Sequence, residues 1–185
     1  MSPIVRDPAV SAQLLARFRV ALGWVAAPLV LIVAEPTATS IAVGMTIAAA
    51  GEALRIWAAG HLNKAREVTA SGPYRWFAHP LYVGSSIMGL GLGIASHNLI
   101  VIALIAFYLF FTLRAAIASE EAYLRRTFGE QYDLYRQGRD AARAQQSPRA
   151  FSFSRAIANR EHRAVVGLLV AVLLLVLKAT YNGTL

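Results

Sequence analysis

Cysteine is absent from the chain, and charged residues are scarce. Without cysteine the protein has no disulfide, no thiolate nucleophile and no cysteine-ligated zinc site. Charged residues make up 15% of the chain and hydrophobic residues 57%, whereas charged residues make up roughly 25% of ordinary soluble domains. These two shortages exclude an ordinary soluble domain and predict a membrane protein.

The hydrophobic residues are gathered into long blocks, which is typical of membrane-spanning helices. The blocks cover residues 20–34, 41–60, 81–96, 99–118 and 164–181. A perpendicular span needs about 20 residues, so the first and third blocks are short. The tight turn between the third and fourth blocks predicts an antiparallel helical hairpin. We therefore expect an all-α polytopic helical membrane protein with about five transmembrane helices.

Basic residues predict the orientation of these helices, because loops rich in Lys and Arg stay in the cytoplasm. The short turns 35–40 and 96–98 carry no Lys or Arg, whereas the other connections are basic. We therefore expect a cytoplasmic N-terminus, with residues 72–84 and 119–163 on the cytoplasmic side. The net charge of +8 is explained by this bias and by anionic lipid headgroups. No nucleic-acid recognition motif accompanies it, so we expect no nucleic-acid partner.

Two ionisable residues, Glu52 and Arg55, lie inside the second block and three positions apart, which puts them on one helical face. Ionisable groups within a span are costly and usually face a bundle interior or a wet cavity. They form either a polar wall for a substrate or a structural ion pair between helices. We list both as candidate substrate residues.

The stretch GPYRWFAHPLYVG, residues 72–84, places Tyr74, His79 and Tyr82 where the chain enters the third block. Pro80 suits the first turn of a helix, where its missing N–H would be unpaired anyway. The remaining amides of that turn could meet an anionic group. The stretch is either an aromatic anchor at the membrane interface or one wall of a site.

An acidic pair, Glu120 and Glu121, directly follows the fourth block, and Arg114 precedes it by six residues. The pair is either a solvated face or a binding site for hydroxyl groups or a cationic ligand. The four histidines, by contrast, share no metal-binding spacing, so we expect no metal site. Ser85, Gly89 and Gly93 repeat every four residues and predict close helix packing.

Taken in order, four motifs resemble the isoprenylcysteine carboxyl methyltransferases and the related phospholipid methyltransferases, which are integral-membrane enzymes. The motifs are Gly-Pro-Tyr at 72–74, His-Pro-x-Tyr-x-Gly at 79–84, the acidic pair, and Phe-Gly-Glu-x-Tyr at 128–132. The resemblance covers about residues 44–137. It divides the chain into an N-terminal segment with the first helix (1–40), a methyltransferase core (41–139), a polar linker (140–163) and an extra C-terminal helix (164–185).

The resemblance implies S-adenosylmethionine as cofactor, bound at the cytoplasmic ends of the core helices. It implies a lipid-like or isoprenoid-type acceptor, methylated on a carboxylate or an amine. The implied cofactor-binding residues are Tyr74, His79, Pro80, Tyr82, Gly84, Glu120 and Glu121. Glu120 and Arg114 are our candidate catalytic residues.

The chain departs from the family pattern at two positions. Ala78 stands where the family usually has arginine before His-Pro, and Arg75 is a possible replacement for that charge. Ala116 stands where the prenylcysteine branch carries an arginine, although Arg114 is near. Two alternatives therefore stay open: an NADPH-dependent membrane reductase of sterol-reductase type, and a non-catalytic helical protein. The extra C-terminal helix would cover the acceptor entry or form a dimer face, so a homo-oligomer is also possible.

Overall fold

The computed structural model describes residues 27–63, 67–136, 138 and 150–185, and these residues contain helices and no strand. Residues 27–33 form the described part of a first helix, α1. The remaining helices are α2 (Ala38–His61), a 3₁₀ turn (Gly72–Arg75), α3 (Pro80–Ala95), α4 (Leu99–Phe128), α5 (Glu130–Arg136), α6 (Phe153–Ala158) and α7 (His162–Asn182). The all-α prediction is confirmed.

Three of these helices, α2, α4 and α7, are long and apolar enough to cross a membrane, with 24, 30 and 21 residues. Helix α3 has 16 residues and falls below the ~20 residues of a perpendicular span. Residues 20–26, about half of the first predicted span, lie outside the described residues. Helix α4 is about 45 Å long at ~1.5 Å per residue, which exceeds the ~30 Å hydrocarbon core. The helix is therefore longer than a perpendicular span needs, and all its charged residues except Arg114 lie in its last third.

Local signals in the sequence fix where these helices begin and end. Thr37 and Ser40 form a reciprocal capping box at the start of α2, which satisfies amides that have no partner within the helix. The Asn98 side chain accepts from two amides in the first turn of α4. Gly129 ends α4 with a φ of 52°, a conformation that glycine adopts at little cost. The chain then reverses into α5.

Helices α2 and α3 pack through glycines, so that their backbones nearly touch. A Cβ atom on Gly44 would lie 2.4 Å from the Gly91 carbonyl oxygen, and one on Gly51 would lie 2.6 Å from the Gly84 carbonyl oxygen. Only residues without a side chain permit such an approach. On another face of α3, a Cβ on Gly89 would lie 2.3 Å from Leu109 of α4.

The predicted small-residue face is thus confirmed at Gly89 and also at Gly93, which lies against Ile102 of α4. The α2 contact uses a second face of α3 that the four-residue repeat did not include. Ser85, the third member of the predicted repeat, instead hydrogen-bonds the Leu81 carbonyl and contacts Arg55.

We call the end of the bundle where α2 ends and α3 begins the site end. Helices α4 and α7 run between this end and the opposite one, where the turn 96–98 lies. At the opposite end, Leu175 and Ala179 of α7 pack with Ala34, Ile41 and Ala95. The Ala38 amide also donates to the Thr184 carbonyl at 3.2 Å. Helix α7 is therefore part of the described fold and not a separate appendage.

Candidate functional site

His79 lies between the two adjacent carboxylates at the site end. Its Nδ1 atom is 3.6 Å from Glu120 Oε2, and its Nε2 atom is 3.2 Å from Glu121 Oε1. The α3–α4 hairpin brings these residues together across 42 positions of sequence. His79 is the N-cap residue of α3, so the proline that follows it fixes where the imidazole leaves the helix.

The protonation of His79 follows from two opposing influences. Burial alone would lower the pKa of the imidazole, but its interactions with Glu120 and Glu121 outweigh burial and raise that pKa above its ordinary value of 6.5. The two carboxylates therefore favour the imidazolium over the neutral imidazole. This cluster of His79, Glu120 and Glu121 is called the histidine cluster below.

The two carboxylates of the histidine cluster differ in exposure. Glu121 is held by Arg136 Nη2 at 3.3 Å and Arg125 Nη1 at 3.8 Å, as well as by His79. Its side chain is 17% exposed, whereas that of Glu120 is 39% exposed. The turn at Gly129 brings Arg136 back onto α4. Glu121 therefore anchors the cluster, and Glu120 is the carboxylate that faces solvent.

Three tyrosines surround the histidine cluster. The Tyr135 hydroxyl donates to the Tyr74 carbonyl at 2.7 Å, which fastens α5 to the 3₁₀ turn. The Tyr82 and His79 rings are 5.7 Å apart. Burial, followed by the charge of Glu120, raises the pKa of Tyr74, and burial raises the pKa of Tyr135 to about 12. These phenols are neutral donors at physiological pH.

Tyr132 is a further residue near this cluster that the sequence did not single out as a site residue. It is 1% exposed, and its hydroxyl has no hydrogen-bond partner among the described residues. Burial and then the charge of Glu121 raise its pKa to about 12. A buried hydroxyl without a partner is costly. The sequence signal that could have identified Tyr132 is its place as the last residue of the Phe-Gly-Glu-x-Tyr motif. This motif puts an aromatic hydroxyl shortly after α4, the helix that carries Glu120 and Glu121.

A second ionic group centres on Arg55 and is called the arginine cluster. Arg55 Nε lies 2.7 Å from Glu161 Oε1 and 3.4 Å from Glu52 Oε2. Both are ion pairs without hydrogen-bond geometry, since these atoms make no hydrogen bond. Arg55 Nη1 also donates to the Leu81 carbonyl and to Ser85 Oγ in the first turns of α3. The predicted role of Glu52 and Arg55 toward a substrate stays a prediction.

Glu161 is the second residue that sequence reasoning missed. It lies in the basic stretch Arg160–Arg163, between α6 and α7, and is 5% exposed. A lone acidic residue among basic ones was a weak signal, and nothing in the sequence named Arg55 as its partner. The two clusters are close to each other. Tyr74 lies near both, since, in addition to burial, the charges of Glu120 and of Glu161 each raise its pKa.

The other predicted site residues lie near these clusters in different ways. Pro80 is buried in the first turn of α3. Gly84 faces α2, where an added Cβ would lie 2.6 Å from Arg55 Cγ. Arg114 lies apart from the histidine cluster, with its guanidinium 5.3 Å from the centre of the Phe110 ring. Their predicted roles toward cofactor or acceptor stay predictions.

An apolar groove of about 390 Å³ runs between α3 and α4. Its wall on α3 includes Ser86, Gly89 and Leu90, and its wall on α4 extends from Ile102 to Ile117. Arg114 is the charged residue of the lining. Ile117 precedes Glu120 by three positions, about one helical turn. The groove therefore runs toward the histidine cluster.

Within the described ranges, no group of three or more His, Cys, Asp or Glu side chains is placed to hold a metal ion.

The described residues form an α-helical bundle with membrane-length helices, a histidine–carboxylate cluster at one end and an apolar groove beside it, which is the architecture of an integral-membrane protein. The family model for phospholipid methyltransferases matches residues 39–131, half of the chain. The chain belongs to the phospholipid methyltransferase family, and the resemblance seen in its motifs is confirmed.

Three curated relatives each match about half of the chain. The nickel-cobalt-cadmium resistance protein NccN of Alcaligenes xylosoxydans xylosoxydans is 34% identical over 94 residues, which cover 50% of this chain and 42% of the relative. The protein-S-isoprenylcysteine O-methyltransferase of Schizosaccharomyces pombe is 33% identical over 87 residues, 47% of this chain and 37% of the relative. The cobalt-zinc-cadmium resistance protein CzcN of Cupriavidus metallidurans is 34% identical over 89 residues, 47% and 40% of the two chains.

These matches span about two fifths of the length of each relative. No solved structure matches the chain.

Proposed function

We propose that this protein is an S-adenosylmethionine-dependent membrane methyltransferase that acts on a lipid-like acceptor, with the histidine cluster at its cofactor site. The observation that carries the proposal is the imidazole of His79 held between Glu120 and Glu121, inside the segment that matches the family. The expected cytoplasmic location of this site, from the distribution of basic residues, is part of the proposal.

The residues at the histidine cluster fit such a cofactor. S-adenosylmethionine carries hydroxyl and amino groups, which carboxylates accept from, and a carboxylate, which an imidazolium or a phenol can donate to. The buried Tyr132 hydroxyl has no partner within the part of the chain that the structure describes, and a polar ligand at the cluster would offer it one. When bound, S-adenosylmethionine supplies a methyl group on a positively charged sulfur.

The protein's contribution is to bind, orient and exclude water. Glu120 is the exposed carboxylate, so we assign it to contact the cofactor directly. Glu121 is tied to His79, Arg125 and Arg136, so we assign it to fixing the imidazole. Tyr74 and Tyr135 close the cluster on the side of the 3₁₀ turn. An amine acceptor must react as the neutral amine, and the exposed carboxylate of Glu120 would accept the proton that the acceptor gives up.

The groove between α3 and α4 supports a lipid-like acceptor. Its lining is apolar apart from Ser86 and Arg114, so it suits a hydrocarbon chain from the bilayer. Arg114 would meet an acidic group on that molecule, either a carboxylate to be methylated or a lipid phosphate. This is the role we propose for Arg114 in place of direct contact with the histidine cluster.

Calorimetric binding of S-adenosylhomocysteine and of NADPH to the detergent-purified chain tests the proposal. We expect the wild type to bind S-adenosylhomocysteine and the Glu120→Ala and His79→Ala variants to lose about tenfold or more in affinity, as expected for a charged contact. Glu35→Ala is the matched control, because Glu35 is exposed at the opposite end of the bundle. Its affinity should equal that of the wild type.

The other outcomes of this measurement are equally informative. Binding of NADPH alone would establish the reductase alternative. Binding of neither molecule by a folded sample would contradict the methyltransferase proposal and favour a non-catalytic helical protein.

A further inference from the structure

The C-terminal segment 150–185 lies outside the family match, which ends at residue 131, yet it is fastened to the core at the site end. The Asn159 side chain donates to the Ala59 and Leu62 carbonyls, both at 2.9 Å. The Ser152 amide donates to the Gly60 carbonyl at 3.2 Å. These bonds cap the C-terminal end of α2, whose last carbonyls have no partner within the helix.

Phe151 makes this contact close. A Cβ atom on Gly60 would lie 2.2 Å from the Phe151 ring, so glycine is required at that position for the ring to sit there. The Phe151 and His61 rings are 6.3 Å apart. The segment before α7 therefore has one defined position on α2.

With the segment in this position on α2, the carboxylate of Glu161 lies next to Arg55 in the core. It provides the shorter of the two ion pairs of Arg55, at 2.7 Å against 3.4 Å for Glu52. Glu52 is on the same helix as Arg55, whereas Glu161 comes from a separate segment. Both Arg55 and Glu161 are largely buried, with side-chain exposures of 18% and 7%. Removing one partner of a buried pair leaves an uncompensated charge.

Arg55 also contacts α3 and thereby connects Glu161 to the start of that helix. Its guanidinium donates to the Leu81 carbonyl and to the Ser85 hydroxyl, in the turns that directly follow His79 and Pro80. The first amides of α3, those of Tyr82 and Val83, donate to the His79 carbonyl at 3.0 and 3.2 Å. A continuous set of contacts thus runs from Glu161 through Arg55 and the start of α3 to His79.

We propose that Glu161 is a positioning residue for the cofactor site: by holding Arg55, it fixes the first turn of α3 and therefore the imidazole of His79. The C-terminal segment is then a working part of the site rather than an added membrane anchor. This inference rests on the proposed cofactor site. It assigns no contact between Glu161 and the cofactor.

The test uses Glu161→Gln, which keeps the size of the side chain and removes its charge, with Glu161→Asp as the conservative rescue. Asn159→Ala is the control, because it removes two hydrogen bonds of the same segment while the Ser152 amide and Phe151 still hold the segment on α2 and the carboxylate of Glu161 is kept. Two quantities are measured on the full-length protein: the Kd of S-adenosylhomocysteine, and hydrogen exchange of the amides in residues 79–85 without any ligand.

We expect Glu161→Gln to raise the Kd roughly 5- to 50-fold, the range of couplings between contacting residues, and to speed exchange in residues 79–85. Glu161→Asp should recover part of both effects, and Asn159→Ala should change the Kd less than about twofold. The double variant Arg55→Gln with Glu161→Gln should bind no more weakly than the worse single variant, because its effects are not additive.

Two results would overturn the inference: unchanged exchange in residues 79–85 of Glu161→Gln, or an equal loss of affinity in Asn159→Ala. A wild type that binds no S-adenosylhomocysteine would instead refute the proposed function. The positioning of α3 by Glu161 would then be accepted or rejected on the exchange result alone.

Discussion

The histidine cluster and the arginine cluster lie side by side at the site end of the bundle, yet they differ in exposure and in the origin of their charges. In the arginine cluster, Glu52 and Glu161 are each 5% exposed. In the histidine cluster, the Glu120 side chain is 39% exposed. One charge of the arginine cluster, that of Glu161, comes from outside the family-matched residues 39–131, whereas all the charges of the histidine cluster lie within them.

This difference teaches what each cluster is suited to do. A buried ion pair contributes mainly by fixing one arrangement of helices, since its desolvation cost offsets much of its attraction. A partly exposed cluster keeps access for a ligand and is more weakly coupled to folding. We therefore interpret the arginine cluster as a structural brace, meaning a buried ion pair that fixes the C-terminal segment on α2. The histidine cluster beside it is the better candidate for binding.

The largest effect is expected from Arg55→Ala, which leaves the carboxylates of Glu52 and Glu161 buried without their cation. The free energy of unfolding should fall by about 3–5 kcal/mol, the usual result of removing one partner of a buried pair. Denaturant unfolding in micelles, followed by circular dichroism, measures it. The neutral triple variant Arg55→Met, Glu52→Gln, Glu161→Gln should recover most of the loss. If Arg55→Ala were as stable as the wild type, the brace interpretation would be wrong.

A smaller, pH-dependent effect is expected from the histidine cluster. Because folding raises the pKa of His79 above 6.5, its imidazolium stabilises the fold fully below about 6.5 and loses that contribution as the pH rises through the folded pKa. The exposure of Glu120 limits this to about 1 kcal/mol or less. The measurement compares the stability of the wild type and His79→Gln between pH 6 and pH 9.

The difference in the free energy of unfolding between the wild type and His79→Gln should shrink as the pH rises, because the imidazolium loses its proton. Titration of the other histidines is common to both proteins and cancels in this difference. A difference that grows with pH would mean that burial of the imidazole outweighs the two carboxylates, contrary to the geometry of the cluster.

The smallest effect is expected at the rim of the histidine cluster, where Arg125 Nε pairs with Asp133 Oδ1 at 3.0 Å. Their side chains are 52% and 49% exposed, so solvent screens the pair. Asp133→Asn should lower the free energy of unfolding only slightly, and by less at 1 M salt. A cost comparable to that of Arg55→Ala would contradict the comparison, because exposed and buried ion pairs would then contribute equally to the free energy of unfolding.

The C-terminal segment separates what the sequence could predict from what it could not. Residues 164–181 were recognised as a membrane-length helix from their apolar run alone. The contact of Glu161 with Arg55 was not, because 106 positions separate the two residues and no local pattern joins them. The packing of α2 on α3 through Gly44 and Gly91 was missed for the same reason, although the glycines themselves were visible.

The sequence by itself determined the helical class, the membrane character and the family motifs, since these depend on composition, apolar runs and local order along one chain. It also placed His79, Glu120 and Glu121 among the candidate residues. Only the tertiary structure decided that the imidazole lies between the two carboxylates, that Arg114 lines a groove, and that Glu161 joins the core. Those facts depend on the close approach of α2, α3 and α4 and on the fold of the C-terminal segment, and such distances are set by packing between residues far apart in sequence.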